Sequence, residues 1–410
     1  MNILVTGAKG FVGKNLVAAL EAIRDGKDGR HPELTVECVF ACDRDTTREQ
    51  LDLFCDRADF VFHLAGVNRA EEETAFMEGN CGFLGTLLAM LEARGNACPV
   101  VLSSSIRASC GESAYGMSKL AGERLLQDYG RSSGARVLIY RLPNLFGKWC
   151  NPHYNSVVAT FCHDLARDLP IAVLEPARKL ELVYIDDLIQ EWLLALKGEE
   201  HRCGDFCYVP VTHEITVEEL ARLLRSFREQ SDALLLPQLP EGSLTRKLYA
   251  TYLSYLPAER VSSALPLKED ARGAFAEFLK TKNCGQFSVN ITKPGAIKGN
   301  HWHQSKWEVF LVVSGHGLIC QRQIHSREIL EFEVTAHPLE AVRILPGYVH
   351  SIRNLSSTED LVTLMWASEV FDPEHPDTFY EEVRHEQIEV DDNPWHPAGD
   401  HTFIGGHQVL

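Results

Sequence analysis

The sequence predicts two classes of fold in one chain, an α/β domain followed by an all-β domain. A short apolar strand at residues 2–5 runs into three glycines and then into an amphipathic helix. Apolar strands and helical stretches alternate from there to about residue 230, which is typical of a doubly wound parallel sheet. Beyond about residue 265 the apolar runs are short and separated by glycine and proline, the pattern of an all-β sandwich or barrel.

These changes of pattern predict domains at 1–230 and 265–383, joined by a bridge at 231–264. The bridge is rich in leucine and proline, and it carries Tyr249, Tyr252 and Tyr255 at a helical spacing. Plain packing between domains is the favoured use of these rings, and stacking on a substrate is the alternative. Residues 384–410 are expected to form a flexible tail rather than an accessory metal site. The histidines of this tail are His385, His396, His401 and His407.

Length and composition exclude some partners. The chain has 410 residues, enough for two or three domains with proper cores. Its formal net charge of −17 argues against nucleic acid or an anionic membrane as a partner. No apolar run reaches the roughly 18 residues that span a membrane, and the opening MNILVTG enters a strand without room for a signal peptide. We therefore expect a cytoplasmic protein whose twelve cysteines are reduced thiols.

The N-terminal domain begins with a motif for binding a dinucleotide. Gly7, Gly10 and Gly13 lie between the first strand and a helix predicted over Lys14–Ala22. Glycines at this spacing let the backbone turn tightly and approach a pyrophosphate, which the helix N-terminus attracts. The sequence therefore predicts a dinucleotide cofactor.

The end of the second strand bears on which cofactor is bound. This strand, 36–42, is followed by Asp43 and Arg44. An acid at this place binds the ribose 2′-hydroxyl of NAD, whereas an arginine binds the 2′-phosphate of NADP. The pair leaves both cofactors open, and a solvated salt bridge is the alternative use. Gly66, after the next strand, lets the chain pass close to a ligand.

The chemistry of this domain is predicted to lie in a serine run, 103–105, and in a Y-x3-K pattern. Tyr115 and Lys119 are four residues apart, so on a helix they share a face. The ammonium of Lys119 is expected to lower the pKa of the Tyr115 phenol, which can then exchange a proton with a sugar oxygen near neutral pH. A serine at the preceding strand end can hydrogen-bond the same oxygen.

These motifs make the N-terminal domain resemble the extended short-chain dehydrogenase/reductase family, which implies a Rossmann-like sheet. The matching segments are TGAKGFVG at 6–13, HLAG at 63–66, SSS at 103–105, YGMSK at 115–119, RLPNLFG at 141–147 and YIDDL at 184–188. The resemblance implies that Ser105, Tyr115 and Lys119 are catalytic and that the Asn144 segment contacts a nucleotide-linked sugar. The cofactor-binding residues that we predict are Gly7, Gly10, Phe11, Val12, Gly13, Asp43, Arg44, Leu64, Ala65, Gly66, Tyr115 and Lys119.

One departure from the sequence pattern of this family argues against one of its reactions, the dehydration of a sugar. Its sugar 4,6-dehydratases carry an Asp-Glu pair after the serine or threonine, because elimination across C5 and C6 needs a further acid and base. This chain has Ile106 and Arg107 at that place. The sequence therefore favours reduction or oxidation at a sugar carbon over dehydration.

The C-terminal domain carries a predicted metal site. His301, His303 and Glu308 have the spacing H-x-H-x4-E, and His350 follows the Pro-Gly pair at 346–347. Imidazoles at i and i+2 of a strand point to the same face. Three imidazole nitrogens and one carboxylate suit zinc or another divalent first-row metal. The alternative is a pair of histidines on a wet strand without metal.

Both halves of this pattern resemble the motifs of the cupin superfamily, which implies a cupin β-barrel. Within the cupins, DARGAFAE at 270–277 and KGNH at 298–301 resemble the deoxysugar 3,5-epimerases. The histidine base of those metal-free enzymes would fall at or near His301, which here is assigned to the metal. The other candidates for a general base are Lys298, Lys306, His316 and Tyr348.

The order of the two domains resembles one whole-chain family, the bifunctional capsular-polysaccharide enzymes of the CapF type. The likeness covers about 1–383 and includes NLFGKWCNPHYNSV, ATYLSYLP and KGNHWH. It implies a zinc-binding homodimer on the route to UDP-N-acetyl-L-fucosamine. Its cupin domain would epimerise C3 of a UDP-4-keto-2-acetamido-2,6-dideoxyhexose. The N-terminal domain would then reduce C4 with NADPH, giving a UDP-2-acetamido-2,6-dideoxy-L-talose.

Three other hypotheses remain open from the sequence. The protein is a 4-ketoreductase whose cupin binds metal only for structure, or a sugar 4-epimerase with tightly held NAD. In the third hypothesis the cupin is a sugar-sensing module that regulates the first domain.

Overall fold

The computed structural model describes residues 1–109 and 113–384. The predicted tail, 384–410, lies outside these residues apart from Arg384, and so do its histidines. The chain divides into two compact units, one made of 1–228 and 239–261, the other of 229–238 and the chain from Ser262 onward. The segment predicted as a bridge, 231–264, is thus divided between the two units. Within the described ranges, no helix combines the length and the apolar character needed to cross a bilayer.

The N-terminal unit contains a parallel sheet and a smaller second sheet. Its strands are β1 (Asn2–Thr6), β2 (Cys38–Cys42), β3 (Phe60–His63), β4 (Val100–Ser105), β5 (Val137–Leu142), β6 (Asn144–Phe146), β7 (Lys179–Tyr184), β8 (Arg202–Cys203), β9 (Phe206–Cys207) and β10 (His213–Thr216). The order in the larger sheet is β2-β1-β3-β4-β5-β9-β8, and every neighbouring pair is parallel except β8 and β9. The smaller sheet has the order β10-β7-β6.

Helices cover both faces of the parallel sheet. The α-helices among the described residues are α1 (Phe11–Arg24), α2 (Arg48–Arg57), α3 (Glu73–Met77), α4 (Phe83–Ala93), α5 (Ala114–Ser133), α6 (Val157–Leu165), α7 (Ile185–Lys197), α8 (Val217–Asp232) and α9 (Leu244–Leu253). Ile3 and Val5 pack in the core formed with α1 and α7, whereas Leu4 between them packs in the core formed with α2, α4 and α5. Because successive side chains of a strand alternate between faces, both faces of β1 are buried, and the prediction of a Rossmann-like α/β domain is confirmed.

A third core joins the small sheet to α6, α8 and α9. Within it, Phe227 lies against Tyr249 and Tyr252, with ring centroids 5.1 and 6.2 Å apart respectively. These tyrosines therefore pack inside the N-terminal unit, and the interpretation that they pack between domains was wrong. Apolar burial rather than substrate stacking explains their helical spacing.

The C-terminal unit is all β, as predicted. Its strands are β11 (Leu235–Leu236), β12 (Lys268–Asp270), β13 (Gly273–Thr281), β14 (Gly285–Thr292), β15 (Ile297–Trp302), β16 (Glu308–Ser314), β17 (His316–Gln323), β18 (Ile329–Thr335), β19 (Ala341–Ile344), β20 (Tyr348–Asn354), β21 (Leu361–Ala367) and β22 (Phe379–Tyr380). They form one sheet of order β11-β13-β14-β21-β16-β19, with β12 paired to β13, and a second of order β18-β17-β20-β15-β22. Neither sheet closes on itself among the described residues, so the prediction of a cupin barrel is not confirmed.

A prediction follows from the position of Leu16, which is fully buried where α1 packs on the parallel sheet. Leu16→Ala is expected to lower the free energy of unfolding of the N-terminal unit by about 2–5 kcal/mol, because the deleted carbons leave a cavity. The matched control is Leu174→Ala, at a leucine that is 88% exposed, with an expected change below about 0.5 kcal/mol. Urea unfolding followed by hydrogen exchange of β1 peptides measures both, and equal losses would contradict the assigned packing.

Candidate active sites

The glycine loop after β1 is too crowded for side chains. Gly7 has φ +69°, and a Cβ there would lie 2.8 Å from the Ala65 nitrogen. A Cβ on Gly13 would lie 2.2 Å from the Gly7 oxygen. Helix α1 begins at Phe11 with no side-chain cap and no acid in its first turn, so its first N–H groups are open to an anion. The loop is therefore shaped as the dinucleotide motif predicts.

A buried threonine fixes the next strand end to this loop. The Thr6 Oγ1 accepts hydrogen bonds from the Leu64 and Ala65 nitrogens, both at 3.2 Å. The Asn80 side chain fixes Val67, which follows Gly66. Its amide oxygen accepts from the Val67 nitrogen at 2.9 Å, and its amide nitrogen donates to the Val67 oxygen at 3.0 Å. Leu64, Ala65 and Gly66 consequently line the same cleft as the glycine loop.

Asp43 and Arg44 have different roles in the structure. The two carboxylate oxygens of Asp43 accept backbone hydrogen bonds from Lys9 at 2.7 Å and from Arg44 at 2.8 Å. Asp43 thus ties the glycine loop to the end of β2. The exposed Arg44 guanidinium has no hydrogen bond or ion pair with any described residue, and it lines the cleft. The solvated salt bridge considered from the sequence is not formed.

The predicted catalytic residues meet at the ends of β4 and α5. Ser105 ends β4, and Tyr115 and Lys119 lie on the first two turns of α5, with the Lys119 Nζ 5.9 Å from the centre of the Tyr115 ring. That Nζ also donates to the Ser103 oxygen at 3.2 Å. All three residues line the cleft. Burial lowers the pKa of Lys119 to about 8.

The expectation that the pKa of Tyr115 is lowered was wrong. Burial raises the pKa of the Tyr115 phenol above its ordinary value, and the opposing influences are the Ser105 hydroxyl and the Arg107 guanidinium, not Lys119. A phenol with a raised pKa stays protonated at neutral pH. The structure therefore presents Tyr115 as a proton donor.

A buried ion pair beneath this site was not foreseen. Arg141, on β5, donates to Oε1 of Glu123, on α5, at 3.0 Å and to its Oε2 at 2.6 Å. Ser104 also donates to Glu123, and the arginine lies 3.8 Å from the centre of the Phe206 ring. The sequence did hold a signal, because Glu123 follows Tyr115 and Lys119 on one helical face, at the spacing of four.

The cleft is large enough for two ligands. Its volume is about 1570 Å³, which exceeds the roughly 300–1,000 Å³ of a typical single-ligand pocket. Asn144 lines it, as predicted for a residue near the nucleotide sugar, together with the cations Arg107, Arg178 and Lys179. The cleft thus joins a dinucleotide loop, a proton donor and positive charge for a second anion.

In the C-terminal unit the four predicted metal ligands come together. Their ligand atoms all lie within 4.8 Å of one another. His301 on β15 pairs directly with His350 on β20, and their ring centroids are 4.5 Å apart. His303 follows β15, and Glu308 begins β16. His301 and His303 both contribute to this cluster, as the H-x-H spacing predicts.

Hydrogen bonds orient two imidazoles of this cluster, and burial and charge shift the pKa values of His301 and Glu308. The His303 Nδ1 donates to the Asp377 main-chain oxygen, and the His350 Nδ1 contacts the Tyr348 oxygen at 3.4 Å. The buried Nε2 atoms of both, and Glu308 Oε2, receive no hydrogen bond from the described residues. Burial lowers the pKa of His301 to about 3, and the neighbouring His350 adds to this. Burial alone would raise the pKa of Glu308, but the imidazoles of His303 and His350 outweigh it and lower that pKa well below the ordinary value.

This donor set fits a divalent metal. Neutral imidazoles with a free lone pair and an ionised carboxylate are the forms in which these side chains bind zinc and related ions. The three atoms make no hydrogen bond with the described residues, although His350 Nε2 lies 3.4 Å from Glu308 Oε2 and His303 Nε2 lies 3.8 Å from Glu308 Oε1. Buried polar atoms without hydrogen bonds are costly, and an ion among them would satisfy all three. These buried imidazole and carboxylate atoms are therefore a physical reason to expect a bound metal.

The four candidate general bases differ in their hydrogen bonding and in their position relative to the histidine–glutamate cluster. The Lys298 Nζ donates to three oxygens at 2.9–3.0 Å, so all its protons are committed to structure. His316 is paired with Glu333 at 2.6 Å and lies five residues along β17 from Gln321, the partner of His350. The Lys306 Nζ is 3.9 Å from Glu308 Oε1. Tyr348 is two residues from His350 on β20, hence on the same face.

Asp377 is the supporting residue that the sequence did not reveal. Its carboxylate accepts backbone hydrogen bonds from Gln304, Ser305 and Lys306 at 2.8, 2.9 and 3.0 Å. Its main-chain oxygen orients His303. One residue thus shapes the turn between β15 and β16 and fixes the tautomer of a candidate ligand. It is more than 70 residues away in the chain, so no local pattern could have found it.

A pH-dependent stability is predicted from Asp377. Burial tends to raise its pKa, but the three backbone N–H groups dominate and lower the pKa to about 2. The carboxylate therefore stabilises the fold fully above the unfolded pKa, near 4, and this contribution disappears as the pH falls toward 2. Asp377→Asn is expected to cost about 1–3 kcal/mol at pH 7, with a smaller difference from wild type at pH 3.

Urea unfolding of the C-terminal unit between pH 7 and 3 measures this difference. Asp360→Asn is the control, since Asp360 makes an exposed pair with Lys293 worth less than about 1 kcal/mol. A loss in Asp377→Asn that does not change with pH would show that hydrogen-bond geometry, rather than charge, is responsible.

Comparisons with known proteins cover both units. The NAD dependent epimerase/dehydratase family profile matches residues 3–205, and the polysaccharide biosynthesis C-terminal domain profile matches residues 268–379. A Pseudomonas aeruginosa protein, UDP-2-acetamido-2,6-beta-L-arabino-hexul-4-ose reductase, is 41% identical over 379 residues, covering 92% of this chain and 98% of the relative.

Solved structures agree over the same length. The capsular polysaccharide assembling protein CapF of Staphylococcus aureus superposes with a TM-score of 0.84 at 44% identity, over 93% of this chain and 100% of that one. A crystal structure of CapF with the inhibitor 3-isopropenyl-tropolone gives a TM-score of 0.80 at 43% identity, with coverage of 93% and 100%. The likeness therefore extends across both units, and the chain belongs to the CapF family of capsular polysaccharide enzymes.

Proposed function

We propose that the protein is a bifunctional nucleotide-sugar enzyme, with a 4-ketoreductase in the N-terminal unit and a C3 epimerase in the C-terminal unit. The substrate would be a UDP-linked 4-keto-2-acetamido-2,6-dideoxyhexose and the product a UDP-2-acetamido-2,6-dideoxy-L-talose. The name of the P. aeruginosa relative describes a UDP-linked 2-acetamido sugar with a ketone at C4, which supports this substrate class. A homodimer, as in the family resemblance, is part of the proposal.

The reductase half is supported by the protonated Tyr115 in a cleft beside the glycine loop. NADPH, bound along that loop, would supply the hydride to the keto carbon. Tyr115 would donate its proton to the sugar oxygen, and the Ser105 hydroxyl would hydrogen-bond the same oxygen. Lys119, whose pKa burial lowers to about 8, would stabilise the tyrosinate left behind. Reprotonation from solvent would then restore the phenol.

The epimerase half is supported by the donor atoms of His303, His350 and Glu308, which are buried close together without a hydrogen bond from the described residues. A divalent metal such as zinc, bound by these three residues and His301, would act as a Lewis acid toward the ketone oxygen. Epimerisation beside a ketone removes a proton from carbon and returns it to the other face. Lys306 and Tyr348 are the two candidate bases near the cluster. A positioned base contributes roughly 10²–10⁴-fold to the rate.

The decisive experiment follows deuterium at C3 of the UDP-4-keto sugar by NMR, in D2O and without NADPH. We expect incorporation in the wild type, its loss on chelation or in His301→Ala, and its retention in Tyr115→Phe and in the control His316→Ala. Tyr115→Phe is expected to lower NADPH oxidation at least about 10²-fold, because the proton donor is gone.

Other outcomes would replace the proposal. NADPH consumption without deuterium at C3 would reduce the protein to a ketoreductase whose metal is structural or whose C-terminal unit senses sugar. Turnover at C4 without added reductant would identify a 4-epimerase with tightly held NAD. Exchange that survives chelation would remove the metal from the epimerase step.

Cofactor preference is predicted from the unpaired Arg44. A charged hydrogen bond to the 2′-phosphate of NADPH is worth about 1.5–3 kcal/mol, so Arg44→Gln is expected to raise KM for NADPH roughly 10–100-fold. KM for NADH, which lacks that phosphate, should hardly change. Steady-state kinetics with both cofactors measures this, and Arg48→Gln, outside the cleft lining, is the control. Equal losses with NADPH and NADH would assign Arg44 a structural role.

A further inference from the structure

A second group of metal-type side chains lies in the N-terminal unit, outside the reactive groups already described. His153 belongs to the loop before α6, while His163 and Asp164 are neighbours near the end of that helix. The His153 Nε2 and the His163 Nδ1 each lie 3.0 Å from the same oxygen, Asp164 Oδ1. The two rings are nearly perpendicular, with centroids 5.2 Å apart. The two imidazole nitrogens therefore approach the same carboxylate oxygen from different directions.

The backbone holds both histidines in place. His153 has a left-handed φ of +56°, a conformation that is unfavourable for a non-glycine residue and persists only where contacts enforce it. Its N–H donates to the Thr160 Oγ1 of α6 at 3.0 Å. The His163 main-chain oxygen accepts from Arg167 at 3.1 Å. The imidazole of His153 is thus presented to α6 by fixed main-chain geometry.

The separations suit a bound transition metal. Zinc lies about 2.0–2.1 Å from imidazole nitrogen and about 2.0–2.2 Å from a carboxylate oxygen, so two such donors at right or tetrahedral angles are about 3.0–3.4 Å apart. Both nitrogen–oxygen distances here are 3.0 Å, and all three donor atoms lie within 4.8 Å of one another. An ion held by all three would replace the two contacts that the imidazoles now make to Asp164 Oδ1.

The chemistry of the donors and their exposure select the kind of ion. Imidazole nitrogen favours zinc, copper, nickel and cobalt over magnesium or calcium. The side chains of His153, His163 and Asp164 are 55%, 24% and 10% exposed respectively. The carboxylate lies inside and one imidazole outside, so the outer side is open and water would complete the coordination.

We propose that His153, His163 and Asp164 form a second metal site, which takes a divalent transition ion and fastens the loop of the substrate cleft to α6. Asn151, Tyr154 and Asn155, on either side of His153, line the large cleft. An ion shared between the loop and α6 would restrict these residues without touching the reacting atoms. The ion is therefore expected to affect substrate binding rather than the chemical step. This part of the proposal rests on the proposed reductase function.

Counting bound zinc tests the site without any activity measurement. After chelation, the full-length protein is dialysed against buffered free zinc, and the metal is measured by mass spectrometry. We expect two ions per chain in the wild type, one in His153→Asn, one in His350→Ala and none in the double variant. Asparagine is the chosen replacement because it tolerates left-handed φ, and losing a ligand should weaken this site at least about 10–100-fold. His316→Ala, at another histidine–carboxylate pair, should keep both ions.

Three outcomes would overturn the proposal. The first is a wild type that binds one ion, which is lost in His350→Ala. The second is a His153→Asn variant that keeps two ions. Either result would mean that His153, His163 and Asp164 only hydrogen-bond one another. An ion retained by the double variant would place the second ion elsewhere. His163→Ala provides an independent check, with one ion expected there too. At saturating zinc, His153→Asn should raise KM for the nucleotide sugar several-fold with kcat unchanged.

Discussion

The N-terminal unit depends on main-chain contacts too close to admit a side chain. The carbonyl of Gly7 occupies the space that a Cβ on Gly13 would take, and the backbone at Leu64 and Ala65 occupies the corresponding space at Gly7. These contacts fix the start of α1 against the ends of β1 and β3. Because Thr6 hydrogen-bonds the same strand end, the cofactor loop, the cleft wall and the parallel sheet form one arrangement. A side chain at either glycine would displace all three.

Burial sets the protonation states in both units, and it does so in ways that suit the proposed chemistry. In the N-terminal unit it raises the pKa of Tyr115 and lowers that of Lys119 to about 8, so the phenol becomes a weaker acid than the neighbouring ammonium. In the C-terminal unit it lowers the pKa of His301 to about 3, which keeps the imidazole neutral. Both effects come from removing charged forms from water.

Local patterns predicted most of the fold and the groups of residues that the structure brings together at both candidate sites, but not the distant contacts that support them. The glycine spacing, the Y-x3-K pair and the H-x-H step each reflect geometry within a few residues, and the structure brings their members together. Closure of the C-terminal sheets is a long-range property, and the barrel was expected only from resemblance. The role of Asp377 depends on contacts across more than 70 residues. The pKa of Tyr115 depends on burial, which helical spacing does not measure, so its direction was predicted wrongly.

The irregularity at Asn300 has a consequence for how the candidate metal-binding cluster can change over evolution. Asn300 has a φ of +58°, and the register of β15 against β20 shifts between Gly299 and His301. As a result Lys298 and His301, an odd number of residues apart, both point inward, one to the β13–β14 strands and the other to the cluster. Asn300 is thus an extra residue in the strand, and it lets the side chains on either side of it keep facing inward. Deleting it would leave His301 opposite His350 while turning Lys298 outward, so the two halves of β15 can diverge separately.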